Sequence, residues 1–302
     1  MISSGSLKLD ISLGCGGLPR GRIVEISGPE SSGKTTLCQH IIAEAQKAGG
    51  RCVFIDADHS LDLSYAALCG VHLNQLYLAE PKCEEQALQI IEILARTGAI
   101  AVIAVDTLSA LAPQAEMAAG IGAASSGLEQ RLLSLALRKL AATIEKTHTL
   151  ILLTCQAYPR SDTGYSNLSY NPASLSLKLN ASVRLGLQPL HPIRNIRKKG
   201  GVIGNRVRID VKKNKLDPLF QPIEVDIMYN EGISKNGDIL DLGVQLMLIT
   251  RQGSVYTYRG LPLGEDREDA VDYLRENPPI SCEIEQIIRQ RYLPPALMPV
   301  DN

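Results

Sequence analysis

The chain has 302 residues, 45% of them hydrophobic, and 31 Lys and Arg stand against 32 Asp and Glu for a net charge of -1. That length suits one large domain, or one with a small appendage, and the near-neutral charge excludes a global basic field, so any polyanion contact must be a local patch. Seven scattered cysteines without a C-x-x-C pair argue against a zinc site or a disulfide framework and fit reduced thiols in a cytoplasm, and no apolar run approaches the roughly eighteen residues of a membrane helix, so no membrane partner is expected.

Residues 1–22 read as a short lead-in ending in the turn cluster Gly16-Gly17-Leu18-Pro19-Arg20-Gly21. The apolar run 23–26 reads as a buried strand. Gly28-Pro29-Glu30-Ser31-Ser32-Gly33-Lys34-Thr35-Thr36 follows it and leads into helical apolar spacing over 37–45. Strand, glycine loop and helix in that order predict a cradle of backbone N–H groups for phosphate oxygens, aided by the helix dipole. Lys34 can reach the β- and γ-phosphates, and the Thr35 hydroxyl can ligate Mg²⁺.

Strands are expected at 51–55, 75–78, 100–105 and 150–154, and helices at about 61–69, 84–96 and 127–146. Near-continuous apolar strands separated by helices predict a parallel sheet covered on both faces, with ligands at the carboxyl ends of the strands. Residues 157–181 break the pattern as a long, polar, Tyr-interleaved loop. Segments 182–187 and 207–211 alternate as antiparallel strands do, and 224–227 continues that region. From about 265 the charge turns acidic, with two short helices at 269–276 and 282–292. The expected divisions are a lead-in (1–22), a core (23–235) and a small C-terminal domain (236–302).

Asp106 ends an apolar strand, where a carboxylate can reach Mg²⁺; the plainer alternative is a helix cap. Asp56 and Asp58 follow the strand 51–55, beside the expected γ-phosphate, where a carboxylate can polarise an attacking water. Gln156 follows the strand 150–154 and can hydrogen-bond the γ-phosphate; the alternative is an ordinary polar strand end.

The chain resembles the bacterial RecA recombinases along almost its whole length. The resemblance is carried by residues 4–9 with 16–22, 28–37, 54–59, 105–107, 138–141, 181–185, 213–215, 229–233 and 276–278. It implies an α/β fold, a RecA-like P-loop ATPase core with a twisted, mostly parallel sheet and a small α/β C-terminal domain. It also implies an ATP- and Mg²⁺-dependent homo-oligomeric filament on single-stranded DNA that engages duplex DNA in strand exchange. Carried over by position, Gly28 to Thr36 hold the triphosphate, Thr35 and Asp106 the Mg²⁺, and Asp62 and Tyr65 the adenine. Lys34, Asp58 and Gln156 are then catalytic, and Lys213 and Lys215 reach the ATP of the neighbouring subunit. The resemblance places DNA contacts at Arg131, Arg138, Arg160, Lys178 and Arg208.

The departures shape the expectations. The family has Glu where Asp58 stands, and one methylene less retracts the carboxylate by about 1.5 Å, which predicts slow hydrolysis with binding retained. The family's N-terminal arm is largely missing before Met1, and Leu179 stands where the family has Phe in the subunit interface. The first DNA loop, 116–127, has no Lys or Arg, and the second has only Arg160 before Lys178. The dense basic stretch runs through Arg194, Arg197, Lys198, Lys199, Arg206, Arg208, Lys212, Lys213 and Lys215, which can neutralise phosphates or simply be a solvated hairpin. Two rivals follow. One is an accessory paralogue that binds ATP and a protein partner, such as another recombinase; the other is a ring-forming ATPase acting on protein.

Overall fold

The computed structural model describes residues 1–118, 128–156, 173–194, 201–217 and 221–292. In chain order the elements are α1 (Leu7–Ser12), β1 (Ile23–Gly28), α2 (Lys34–Lys47), β2 (Arg51–Asp56), α3 (Leu63–Leu68), β3 (Leu76–Ala79), α4 (Glu84–Arg96), β4 (Ile100–Asp106), α5 (Gln114–Ala118), α6 (Leu128–Thr147), β5 (Leu150–Gln156) and α7 (Ala173–Asn180). They continue with β6 (Val183–Arg194), β7 (Val202–Asn214), β8 (Ile223–Met228), β9 (Gly232–Ile233), α8 (Lys235–Gln245), β10 (Ile249–Gln252), β11 (Val255–Tyr258), β12 (Leu261–Gly264), α9 (Arg267–Glu276) and α10 (Pro278–Tyr292).

Among the described residues, nine strands form one sheet in the order β3-β2-β4-β5-β1-β6-β7-β8-β9. The strands from β3 to β6 run parallel, and β7, β8 and β9 complete the sheet antiparallel. β1 and β4 are buried along their whole length because helices cover both faces. Successive residues of a strand point to opposite faces, so Val24 and Ile26 pack with Leu37, Ile41 and Ile42 of α2, while Ile23 packs with Ile151 and with Leu137, Leu140 and Ile144 of α6. α4 contributes Leu88, Ile91 and Ala95 to that second layer, one stripe at helical spacing.

A third cluster joins Leu7 of α1 to Ile239 and Leu240 of α8, Tyr256 and Tyr258 of β11, Leu274 of α9 and Ile284 of α10. The C-terminal region thus holds three helices and a three-stranded antiparallel sheet, β10-β11-β12, where the sequence pattern showed only two helices. Each of these strands has four residues, too short for alternation to stand out. The start of the chain also packs on the C-terminal region. Ser6 caps α1 by accepting from Leu9 N, and its hydroxyl donates to Asp238 of α8 at 2.5 Å. Ser3 and Ser4 donate to the buried Asp10 at 2.6 and 2.7 Å.

Two further expectations are corrected. The span 157–181 is not loop throughout, since α7 occupies its end and buries Leu177 in the second layer. β6 is antiparallel to β7 on one side only; on the other it continues the parallel sheet from β1. No helix among the described residues is long and apolar enough to cross a membrane.

Candidate nucleotide site

The glycine loop leaves β1 at the carboxyl edge of the sheet and enters α2 through Gly33, the N-cap residue, with φ +88. Ser31 is also left-handed, with φ +56. A side chain at Gly33 would collide with Ile227 of β8. At Gly28 a Cβ would lie 2.6 Å from both Leu187 O and Ser32 Oγ. Glycine is needed at Gly28 because a backbone carbonyl stands where its Cβ would be, and at Gly33 because its left-handed backbone disfavours a side chain. Ser32 Oγ is buried without a hydrogen-bond partner among the described residues. The first turn of α2 carries no acidic residue, so its dipole faces the loop uncompensated. Lys34 folds back over the loop and donates from Nζ to Pro29 O at 2.8 Å. Burial holds its ammonium below the ordinary value, against the opposing pull of Asp106 and Glu30.

Strand register assembles the rest. Asp106 ends β4 next to Asp56 of β2, and Gln156 ends β5 opposite Gly28 of β1. Asp106 is buried. The Thr35 hydroxyl donates to its Oδ2, and the Thr154 hydroxyl donates to its Oδ1 at 2.5 Å. Burial raises the Asp106 carboxyl above the usual range, opposed by these two hydroxyls, and the charge of Asp58 raises it further. Asp58 therefore sits within electrostatic reach of Asp106, and it accepts from Ser60 Oγ at 2.6 Å. Asp56 is engaged in its own turn. Its oxygens accept from Ser60 N and Leu61 N, both at 3.1 Å, and so hold the 57–61 turn.

Beside the loop lies a cleft of about 350 Å³ lined by Ser31 to Thr36, Tyr65, Asn205, Val207, Ile227 and Tyr229. Tyr65 is among the residues that line it. Asp62 does not line it; its Oδ1 accepts from Ser64 N and Tyr65 N and caps α3, which fixes the helix that carries Tyr65. Tyr229, which lies in a segment that carries the resemblance, and Asn205 are not among the candidate site residues of the sequence, yet both line the cleft. Asn205 Nδ2 donates to the Tyr229 hydroxyl at 3.3 Å, a pairing made by β7–β8 register that no local pattern encodes. Thr154 was missed for the same reason.

The basic candidates stand apart from this cleft. Lys213 Nζ donates to Lys178 O at 2.7 Å, at the end of α7, and burial lowers its pKa. Lys213 and Lys215 do not line the cleft of their own chain. Lys178 is exposed. Arg138 is exposed and donates to Ser134 O on its own helix. Arg208 is tied to Asp210 at 2.8 Å. Arg160, Arg197, Lys198, Lys199 and most of the two expected DNA loops lie outside the described residues, as does the side chain of Arg131.

The glycine cradle, the orphaned Ser32 hydroxyl and the Thr35–Asp106 pair fit a triphosphate with one hard divalent cation. The loop supplies donors for anionic oxygens, and a hydroxyl beside a carboxylate suits Mg²⁺.

Residues 1–234 match the RecA N-terminal domain and residues 237–293 the RecA C-terminal domain. Protein RecA of Clostridium perfringens (strain 13 / Type A) is 44% identical over 301 residues, covering 100% of this chain and 85% of the relative. Protein RecA of Nitrobacter winogradskyi is 48% identical over 290 residues, covering 96% and 79%. The crystal structure of the RadB recombinase has the same fold, with a TM-score of 0.57 at 20% identity over 77% of this chain and 98% of that one. With both domain models matched in order and relatives near half-identical across its length, the chain belongs to the bacterial RecA family.

Proposed function

We propose that the chain is an ATP-dependent recombinase of the RecA type that binds single-stranded DNA as a homo-oligomeric filament and hydrolyses ATP slowly. The observation that carries this reading is the junction of Thr35 and Asp106 at the mouth of the glycine loop. Gly28 to Thr36 cradle the phosphates, and Lys34 swings from Pro29 O to the β/γ oxygens. Thr35 and Asp106 hold Mg²⁺, which supplies charge neutralisation at the transferring phosphate. Tyr65 packs at the adenine, on the helix that Asp62 caps. Asp58 orients the attacking water, and Gln156 reports the γ-phosphate to residues 157–172. Lys213 and Lys215 serve the ATP of the neighbouring subunit. Arg138, Lys178 and Arg208, with Arg131 and Arg160, meet DNA phosphates, and duplex DNA enters in strand exchange.

The slow rate rests on Asp58, whose carboxylate is a methylene shorter than Glu. We further propose that the chain divides into a core and a C-terminal unit between residues 235 and 236, with residues 1–22 leading into the core. ATP turnover with and without single-stranded DNA, read with filament length by electron microscopy, tests the whole. Stimulation and filaments support it; turnover indifferent to DNA removes it. One observation favours the accessory-paralogue reading. Arg208 is already partnered by Asp210, which weakens its grip on phosphate.

A further inference from the structure

The geometry points to Thr154 as a positioning residue that aims Asp106 at the Mg²⁺ of the bound nucleotide, an assignment that rests on the nucleotide site proposed above. The two oxygens of Asp106 are shared between two threonines on different elements. Oδ2 receives the Thr35 hydroxyl from the start of α2, and Oδ1 receives the Thr154 hydroxyl from β5 at 2.5 Å. The Thr154 hydroxyl has one proton and two other acceptors in reach, Val105 O at 3.3 Å and the Thr107 hydroxyl at 3.1 Å. A short O–H bond to a carboxylate is roughly twice as strong as a neutral one, so the proton goes to Asp106. Thr107 Oγ1 donates in turn to Thr154 O at 3.1 Å and closes a ring between the ends of β4 and β5.

Thr154 is wholly buried, with 0% of its surface exposed, and its β-branched side chain is stiff about χ1. The direction of its hydroxyl is therefore set by the strand. A carboxylate gripped at Oδ1 cannot rotate freely, and Oδ2 stays turned toward Thr35 on the phosphate side. Thr154 also stands two residues before Gln156 on the same strand, so one strand places both the grip on Asp106 and the group facing Gly28. Outer hydrogen bonds of this kind hold metal-binding carboxylates in orientation, and losing one costs roughly 10–100-fold in metal affinity.

The test uses the full chain and a fluorescent ATP analogue. Binding is measured while Mg²⁺ is titrated, and again in EDTA, with the melting temperature of the free protein as a control. Thr154→Val, which keeps the shape and removes the hydroxyl, is expected to raise the Mg²⁺ midpoint about tenfold or more, with binding in EDTA unchanged. Thr154→Ser is expected to restore the midpoint. A purely structural role would lower the melting temperature and leave the Mg²⁺ midpoint where it was, and that result overturns the assignment. If Thr154→Val does not fold, Thr154→Cys replaces it: a weaker donor should give an intermediate midpoint, and a wild-type midpoint overturns the proposal. A wild-type protein whose nucleotide binding ignores Mg²⁺ overturns the nucleotide site itself, and the role of Thr154 falls with it.

Discussion

Arg184 on β6 and Glu25 on β1 face each other across the parallel seam of the sheet and share two hydrogen bonds, Nε to Oε2 at 2.6 Å and Nη2 to Oε1 at 2.9 Å. Glu25 is only 2% exposed. Removing one partner of such a pair strands the other charge, so Arg184→Ala should cost about 3–5 kcal/mol in urea unfolding. The double variant Glu25→Leu/Arg184→Met should recover most of that loss, because it removes both charges and keeps apolar volume.

Among the described residues Lys34 makes one hydrogen bond, to a loop carbonyl, and burial disfavours its charge. Lys34→Ala should therefore leave the melting temperature nearly unchanged. It should weaken binding of a fluorescent ATP analogue by roughly 10–100-fold, the worth of one charged hydrogen bond. Unchanged affinity would remove the lysine from the phosphate site.

Asp58 accepts from Ser60 Oγ at 2.6 Å, which ties a short carboxylate back onto its own turn. Asp58→Glu should raise single-turnover ATP hydrolysis by about tenfold or more, because base catalysis depends steeply on reach. Asp58→Asn should abolish hydrolysis and keep ATP binding. An equal or lower rate in the Glu variant would separate slow hydrolysis from the length of this side chain.

Arg208 and Asp210 are neighbours on one face of β7, with an exposed guanidinium 2.8 Å from a half-buried carboxylate. Exposed pairs are weak, so a phosphate can compete for the arginine. Asp210→Asn should tighten single-stranded DNA binding and steepen its salt dependence by roughly one phosphate contact. An identical salt slope would exclude this face of β7 from the DNA site.

Burial pushes Asp10 up to about 6 despite donors from Ser3 and Ser4 and the nearby Arg289. Burial pushes Asp238 up to about 6 as well, despite Lys8 and Ser6. Both bind protons in the folded chain at higher pH than in the unfolded chain, whose value is 3.8. Their stabilising contribution is full below 3.8 and is lost as pH rises through about 6. Asp226 and Asp241 behave oppositely. Burial raises them, but Arg206, Arg267 and Lys8 outweigh it and hold both below 3.8. Their contribution is lost as pH falls below that value. Asp10 and Asp238 should thus lower stability to urea between about pH 5 and about pH 7.5, while His40, which burial holds down at about 4, raises it over the same interval. The double variant Asp10→Asn/Asp238→Asn should remove the first effect and leave stability rising with pH across that interval.

The linear chain determined whatever depends on near neighbours. Apolar runs marked the buried strands, helical spacing marked α4 and α6, and the glycine pattern marked the loop between β1 and α2. Asp106 and Gln156 were legible because a strand's end is visible in the chain, and parallel strands of a covered sheet gather their ends at one edge. Tertiary structure decided what depends on register between distant strands. It set Thr154 against Asp106, brought Asn205 and Tyr229 to the cleft, and turned Asp62 into the cap that holds Tyr65. It also packed the first helix into the C-terminal cluster through Leu7, Ser6 and Asp238. Periodicity records which face a residue occupies, while its partner on that face is chosen only when strands and helices pack, because side-chain contact depends on distance in space.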